Sequence, residues 1–497
     1  MKHLIDLIDR WQPRRILVVG DYMLDHYLYG NAERLSPDAP VPVLAIERQT
    51  FCPGGASNVA MDLRALRCDV TCVGVTGSDA DAHHLRSALS AAGCDVSGLI
   101  ESPDRPTTVK RSYVGLAQHR HPQKMFRADF ESRKPIDETT ADRLVEAVRA
   151  ALPSADALCI EDYNKGVCTP AVCQRIIAAA RQASVPVLVD PAAITDYSKY
   201  RHCTTITPNR TEAALATGLS TDSPASLELV ARQLLDSLDM EAVVLTLDRH
   251  GAMLLERGRS PQQIPTVARS VYDVTGAGDM VLAMLAAARA QGADWPASVE
   301  LANIAAGLEV EKPGVVPIPL DEILLWILRA NHSTLGKVRT LDQLVPEIAA
   351  HRSQGRRVVF TNGCFDLVHA GHLEVLRGAR ALGDLLILAV NSDRSIASLK
   401  GPTRPIVPQD QRVKLLAEFE CIDYVITFGD GTGGENDTPI PLLRALKPDI
   451  LVKGGTYSHE EVVGYEVVEA YGGKVVTIPP VPGLSTTNIV QRIKAGA

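Results

Sequence analysis

Paired cysteine motifs are missing from this chain. Its ten cysteines, at positions 52, 68, 72, 94, 159, 168, 173, 203, 364 and 421, never fall as C-x-x-C. Scattered thiols of this kind belong to a reduced interior, which argues against a disulfide framework and a structural zinc site. No apolar run approaches the roughly 18 residues that a membrane-spanning helix requires, so no membrane partner is expected. The opening stretch from Met1 to Leu7 carries charge where a secretory leader needs unbroken apolar sequence, and a cytoplasmic location is expected. Surplus positive charge is also absent: 51 Lys and Arg against 59 Asp and Glu leave −8. That balance argues against a non-specific nucleic-acid binder, while a small phosphate site needs only a few local donors. No internal repeat is visible.

What is present is an ordinary globular mixture, 46% hydrophobic and 22% charged, over 497 residues. That length predicts at least two domains. Short Val- and Ile-rich runs (16–19, 157–160, 185–189, 242–246) alternate with helical stretches such as 143–151 and 171–183. The alternation predicts an α/β fold, a parallel sheet covered by helices on both faces. The rhythm restarts at 357–360, 385–390, 449–452 and 474–478. Between the two series a helix is expected at 321–330, then a polar stretch. The expected organisation is a first domain over 1–330, a linker over 331–352 and a second domain over 353–497. The Gly-rich stretch 428–437 reads as a surface loop.

In the first half, Asp273-Val-Thr-Gly-Ala-Gly-Asp279 leads into a helix. Small residues Gly276, Ala277 and Gly278 at a helix N-terminus leave backbone N–H groups free for a phosphate. Asp279 beside them is placed to accept a hydroxyl proton, the arrangement a kinase needs. The same residues would also serve a plain helix start capped by Asp279. The pattern resembles the signature of the ribokinase-like sugar kinases, and the similarity extends over about the first 330 residues. That resemblance implies that Asp21, Gly54, Gly55 and Asn58 hold sugar hydroxyls, with Asp25 close by, although Asp21 also suits a turn and Asn58 a cap. It implies that Asn209 and Glu212, within Thr207-Pro-Asn-Arg-Thr-Glu212, organise magnesium and phosphates together with Arg210 and Thr211. Thr246-Leu-Asp-Arg-His-Gly251 resembles the loop along the nucleotide, with Asp248 and Gly251. The pieces 124–129 and 161–166 resemble those selecting the sugar in the heptose-phosphate branch, where Arg127 or Lys165 would meet a phosphate already on the substrate. Ala192-Ala193 depart from that branch, in which Lys-Gly is expected.

In the second half, the strand ending Asn362-Gly-Cys-Phe-Asp366 is followed by His369-Ala-Gly-His372. Residues three apart in the first helical turn face the same way, and Gly371 leaves room for a phosphate. Two imidazoles and helix amides suit the α-phosphate of a nucleoside triphosphate. A third metal ligand of familiar spacing is not evident, so zinc is not expected. This half resembles the H-x-G-H nucleotidyltransferases over about 140 residues. By that resemblance Asn362, Gly363, Phe365, Asp366, Asn391, Asp393, Lys400, Arg404, Lys453, Gly454, Ser485, Thr486 and Thr487 surround the nucleotide. Lys400 and Lys453 would equally serve as surface lysines.

The implied architecture is a ribokinase-like α/β sandwich followed by a Rossmann-like nucleotidyltransferase. The order of the two resembles the bifunctional enzymes of ADP-heptose synthesis in lipopolysaccharide assembly. The resemblance implies ATP as substrate in both half-reactions, magnesium as cofactor, heptose phosphates as partners and a homo-oligomer, a dimer through the kinase domain. Two other readings stay open: the same chemistries on another sugar or polyol phosphate, or one half serving as a non-catalytic nucleotide-sensing or dimerisation module.

Overall fold

The computed structural model describes residues 2–116, 122–266, 272–331, 336–429 and 434–479. The chain divides into two compact units, Lys2–Ile323 and Leu324–Ala497.

The first unit is built on a nine-stranded sheet. From edge to edge it runs Gln262–Ile264, Ala252–Glu256, Ala242–Thr246, Thr205–Ile206, Val187–Asp190, Ala157–Glu161, Arg15–Gly20, Asp69–Thr76 and Asp95–Glu101. The last seven are parallel and the first two pair antiparallel. Strand Ala157–Glu161 is buried at every position, as a strand covered on both faces must be. One face packs Leu17, Val19, Leu158 and Ile160 against helices Glu138–Ala151 and Pro170–Gln182. Gly20 closes the first strand because a Cβ there would lie 2.0 Å from the Glu161 carbonyl oxygen.

A second sheet, ordered Pro42–Gly55, Tyr22–Leu35, Thr108–Gly115 and Gln123–Phe130, grows directly from that strand end. Of its outer strands, Gln123–Phe130 is largely exposed and Pro42–Gly55 is exposed over 45–49. The alternation of apolar runs did not forecast it, because strands open to solvent lack a continuous hydrophobic signal.

The second unit holds a five-stranded parallel sheet, ordered Tyr424–Phe428, Leu385–Asn391, Val358–Gly363, Ile450–Gly454 and Lys474–Ile478. Leu385–Asn391 is buried throughout. Within the stretch expected as a linker, Leu341–Ser353 is a helix that places Leu344 and Ile348 in this unit's core. Arg339 and Glu347, both buried, pair at 2.6 Å and fix that helix to the segment before it. Of the Gly-rich stretch, 434–437 form a 3-10 turn and 430–433 lie outside the described residues.

Candidate active sites

The first site gathers where the nine-stranded sheet ends. Helix Ala277–Ala290 begins after Gly276, whose φ of 94° and crowded Cβ position suit glycine alone. Asp279, in its first turn, is buried. Its Oδ2 accepts from Asn58 Nδ2 at 2.9 Å and its Oδ1 from the Tyr163 hydroxyl at 3.1 Å. Burial pushes the Asp279 carboxyl up to about 6, against the pull of these two bonds. The group is therefore still ionised at neutral pH and ready to accept a proton.

Asp21 stands at the junction of the two sheets. Its Oδ2 accepts from the backbone N–H of Tyr163 at 2.9 Å and of Lys165 at 3.0 Å. Its Oδ1 is buried without a partner among the described residues, an acceptor left for a hydroxyl. Burial and then Asp162 raise its carboxyl to about 6. Asp25 sits on the second sheet beside Gly54, where a Cβ would come within 2.8 Å of its Oδ2. Gly55 precedes helix Ala56–Ala65, which carries Asn58 to Asp279. Asp21, Asp25, Gly54, Gly55, Asn58 and Asp279 therefore share one neighbourhood.

Asn209 and Glu212 form a capping box on helix Arg210–Thr217: the Asn209 N–H donates to Glu212 Oε2 at 2.9 Å, and the Glu212 N–H to Asn209 Oδ1 at 3.0 Å. Burial raises the Glu212 carboxyl, and Glu212 in turn, after burial itself, raises Asp190. Glu161, Asp190 and Asp279 each bring an oxygen within 4.8 Å of the others. Arg210 donates to the Thr221 carbonyl at 2.6 Å and lies 3.6 Å from Asp248, which together with Gly251 has positive φ in the turn after Ala242–Thr246.

Arg127 and Lys165 are differently placed. Lys165 is nearly buried and its ammonium is engaged by Glu131. Arg127 pairs with Asp129 through two bonds of 2.8 and 2.9 Å. Two groups behind the site escaped sequence reasoning. Asp62, one turn beyond Asn58, and Glu309 are fully buried, and none of their four carboxylate oxygens has a hydrogen-bond partner among the described residues. A Cβ on Gly276 would lie 2.6 Å from Glu309 Oε1. Burial and then Asp279 push Glu309 up to about 8, and burial and then Glu309 raise Asp62 well above the carboxylate range. Neither lies in a recognisable motif, so only the fold exposes their proximity.

The second site is a cleft of about 540 Å³ at the ends of the five-stranded sheet, lined by Asn362, Gly363, Phe365, Asp366, His369, His372, Asn391, Lys400, Lys453 and Gly454 among others. The sequence candidates converge here, as expected at the carboxyl ends of parallel strands. His369 caps helix Ala370–Arg380, and its backbone N–H donates to His372 Nδ1 at 3.3 Å. The two rings lie 3.9 Å apart. Burial, then His369 and Lys400, depress His372 to about 4, and burial lowers His369. Lys453 reaches Asn362 Oδ1 at 3.5 Å, and burial lowers its ammonium. Arg404 is engaged by Asp366, which also accepts from the Ile406 and Val407 N–H groups at 2.6 and 3.1 Å. Asp393 pairs with the buried Arg412 at 2.6 Å. Ser485, Thr486 and Thr487 lie outside the described residues.

These two sites define a sugar kinase joined to a nucleotidyltransferase. Residues 13–322 match the pfkB family carbohydrate kinases, and 360–492 match the cytidylyltransferase-like family. The chain belongs to the HldE family of bifunctional enzymes, which act in ADP-heptose biosynthesis. It is 45% identical over 477 residues to the bifunctional protein HldE of Geobacter sulfurreducens, covering 96% of this chain and 95% of that one. It is 43% identical over 492 residues to the HldE protein of Trichlorobacter lovleyi, covering 99% and 98%. The fold is similar to Arabidopsis thaliana ribokinase (20% identity, TM-score 0.51, 63% of this chain and 98% of that one) and to Escherichia coli phosphofructokinase-2 (18%, TM-score 0.52, 63% and 96%).

Proposed function

We propose that the first unit transfers the γ-phosphoryl of ATP to the C1 hydroxyl of D-glycero-β-D-manno-heptose 7-phosphate, and that the second transfers AMP from ATP to heptose 1-phosphate. The observation that carries the first step is the buried Asp279 held by Asn58 and Tyr163 at the start of helix Ala277–Ala290. Asp279 takes the proton from the sugar hydroxyl as its oxygen attacks the γ-phosphorus. The N–H groups of the 276–278 turn face the transferring phosphoryl, and ADP leaves. Asp21, Asp25 and Asn58 hold sugar hydroxyls, and Arg127 and Lys165 border the sugar. Asn209, Arg210, Thr211, Glu212, Asp248 and Gly251 border the nucleotide.

Magnesium fits the oxygen-only donors of this neighbourhood, which are the kind a hard cation prefers. Glu212 would hold it through solvent, and it would supply charge neutralisation between the phosphates.

In the second step a phosphate oxygen of heptose 1-phosphate attacks the α-phosphorus of ATP and pyrophosphate leaves, giving ADP-heptose. With Nδ1 accepting from the His369 N–H, His372 carries its proton on Nε2, the donor available to the α-phosphate. Lys400, Arg404, Lys453 and residues 485–487 complete the phosphate binders. The 7-phosphate must be removed by a separate phosphatase between the two steps.

A homodimer through the second sheet of the first unit is part of this reading. Exposed Leu35, Ile46 and Phe126 on that sheet support it. A light-scattering mass equal to one chain would overturn it. The catalytic reading is tested by phosphorus NMR with ATP, magnesium and heptose 7-phosphate. An anomeric phosphate signal should appear, and a pyrophosphate diester should follow once the phosphatase is added. ATP turnover only on other sugars would overturn the heptose assignment.

A further inference from the structure

The segment that follows strand Ala157–Glu161 serves the kinase site twice. The N–H groups of Tyr163 and Lys165 hold Asp21 Oδ2 at 2.9 and 3.0 Å, and the Tyr163 hydroxyl donates to Asp279 at 3.1 Å. These bonds aim two carboxylates only while the segment keeps its path. That path is not a relaxed one, since Asn164 has a φ of 56°, in the left-handed region that residues other than glycine rarely adopt.

Asp162, buried, holds the turn. Its Oδ1 accepts from the Asn164 N–H at 2.8 Å and closes the turn from within. Its Oδ2 accepts from the Tyr200 hydroxyl at 2.8 Å and pairs with Lys199 Nζ at 2.5 Å. The ammonium of Lys199, also buried, donates to the Cys168 carbonyl at 3.1 Å, beyond the other end of the turn. The Tyr200 hydroxyl in turn accepts from the Ala192 N–H at 3.0 Å. Lys199 and Tyr200 belong to the 3-10 turn Ser198–Tyr200, which Gln174 of helix Pro170–Gln182 fastens by donating to the Lys199 carbonyl at 3.0 Å. Asp162, Cys168 and Cys173 each bring a ligand atom within 4.8 Å of the others, and the Lys199 ammonium supplies the positive charge that a metal ion would bring to Asp162.

We propose that Lys199, assisted by Tyr200, is a positioning residue of the kinase reaction. Acting through Asp162, it fixes the path of residues 162–165 and so the aim of Asp21 and Tyr163, without touching sugar or nucleotide. The proposal rests on the kinase reading above. Without Lys199, Asp162 would be a buried charge lacking its cation, within electrostatic reach of Asp21, and the turn would shift to relieve it.

The test measures kcat and KM for heptose 7-phosphate in the full chain and in Lys199→Met, Lys199→Arg and Tyr200→Phe. Lys199→Met should lower kcat/KM by about 10- to 100-fold, the scale of a slight misplacement of catalytic groups. The KM for the sugar should rise while the KM for ATP stays level. Lys199→Arg, which keeps the charge, should lie closer to the parent, and Tyr200→Phe should move the same KM by less. A merely structural role would reduce the amount of active enzyme and leave the sugar KM intact; that result overturns the proposal, as does an Arg variant no better than the Met variant. If Lys199→Met does not fold, Tyr200→Phe decides, and an unchanged sugar KM overturns the proposal.

If the parent phosphorylates no heptose phosphate, the heptose reading itself falls. The positioning role is then read from hydrogen–deuterium exchange of the full chain. The Tyr163 and Lys165 amides should exchange faster in Lys199→Met and Tyr200→Phe, while helix Pro224–Leu238 of the same unit keeps its rate. Unchanged rates at Tyr163 and Lys165, or an equal rise throughout the unit, overturn it.

Discussion

His372 Nδ1 accepts the backbone N–H of His369 at 3.3 Å. A ring nitrogen used as an acceptor cannot carry a proton, so the contact fixes the neutral tautomer, in keeping with the depression of His372 to about 4. The free enzyme's adenylyl transfer, followed as kcat/KM for ATP, should therefore show no limb near 6.5 and stay level from about pH 5.5 to 8 as far as this group is concerned. A transition centred on the ordinary imidazole value would contradict it. His372→Ala should lower adenylyl transfer by about 10²- to 10³-fold.

Kinase turnover should depend on pH in a different way. Asp279 works ionised, and its carboxyl is raised to about 6, so kcat/KM for the sugar should climb through about pH 6 and level off near neutrality. Asn58→Ala removes a bond that favours the ionised form, so the acid limb of that variant should move to higher pH. A limb that stays in place, or moves to lower pH, would show that Asp279 is not the group titrating.

The two activities should be separable. Asp279→Asn should lower phosphorylation at least about 10²-fold and leave adenylyl transfer intact, and His372→Ala should do the reverse. Parallel assays on one preparation of each variant decide this. A simultaneous loss of both activities in a folded variant would contradict two independent sites.

Asp366 should matter for stability as well as for the site. Burial pushes its carboxyl up, but the N–H groups of Val407 and Ile406, with Arg404, outweigh that and hold it below the ordinary value. The stability it contributes is present above the unfolded carboxylate range and is lost as pH falls through the depressed folded value. Asp366→Asn should lower the stability of the second unit by about 2–3 kcal/mol at neutral pH, read from urea unfolding of the full chain.

The sheets of both units were legible because strands such as Ala157–Glu161 and Leu385–Asn391 are buried on both faces and read as unbroken apolar runs. The helix starts at Asp279 and His369 were legible from glycines and polar residues at fixed spacing. Strands Pro42–Gly55 and Gln123–Phe130 were not, since residues facing solvent obey no apolar period. The same limit hid Lys110, an ordinary lysine until the strand register places it beside Asp25. Lys165 shows the converse: its position in the motif was visible, but its commitment to Glu131, across 34 residues of chain, was not.

Asp62 and Glu309 give the first unit a calorimetric signature. Both are raised well above the range of an unfolded carboxyl, Glu309 to about 8, so at pH 7 the native protein holds protons that the unfolded chain gives up. Unfolding then discharges protons into the medium, and its apparent heat differs between phosphate and Tris by the number of protons released times the difference in their ionisation heats. These groups favour the native state most in acid, below about pH 4, and this contribution falls away as the solution is made alkaline. The kinase half should therefore melt at progressively lower temperature towards pH 8, a drift opposite to the acid sensitivity that Asp366 confers on its neighbour.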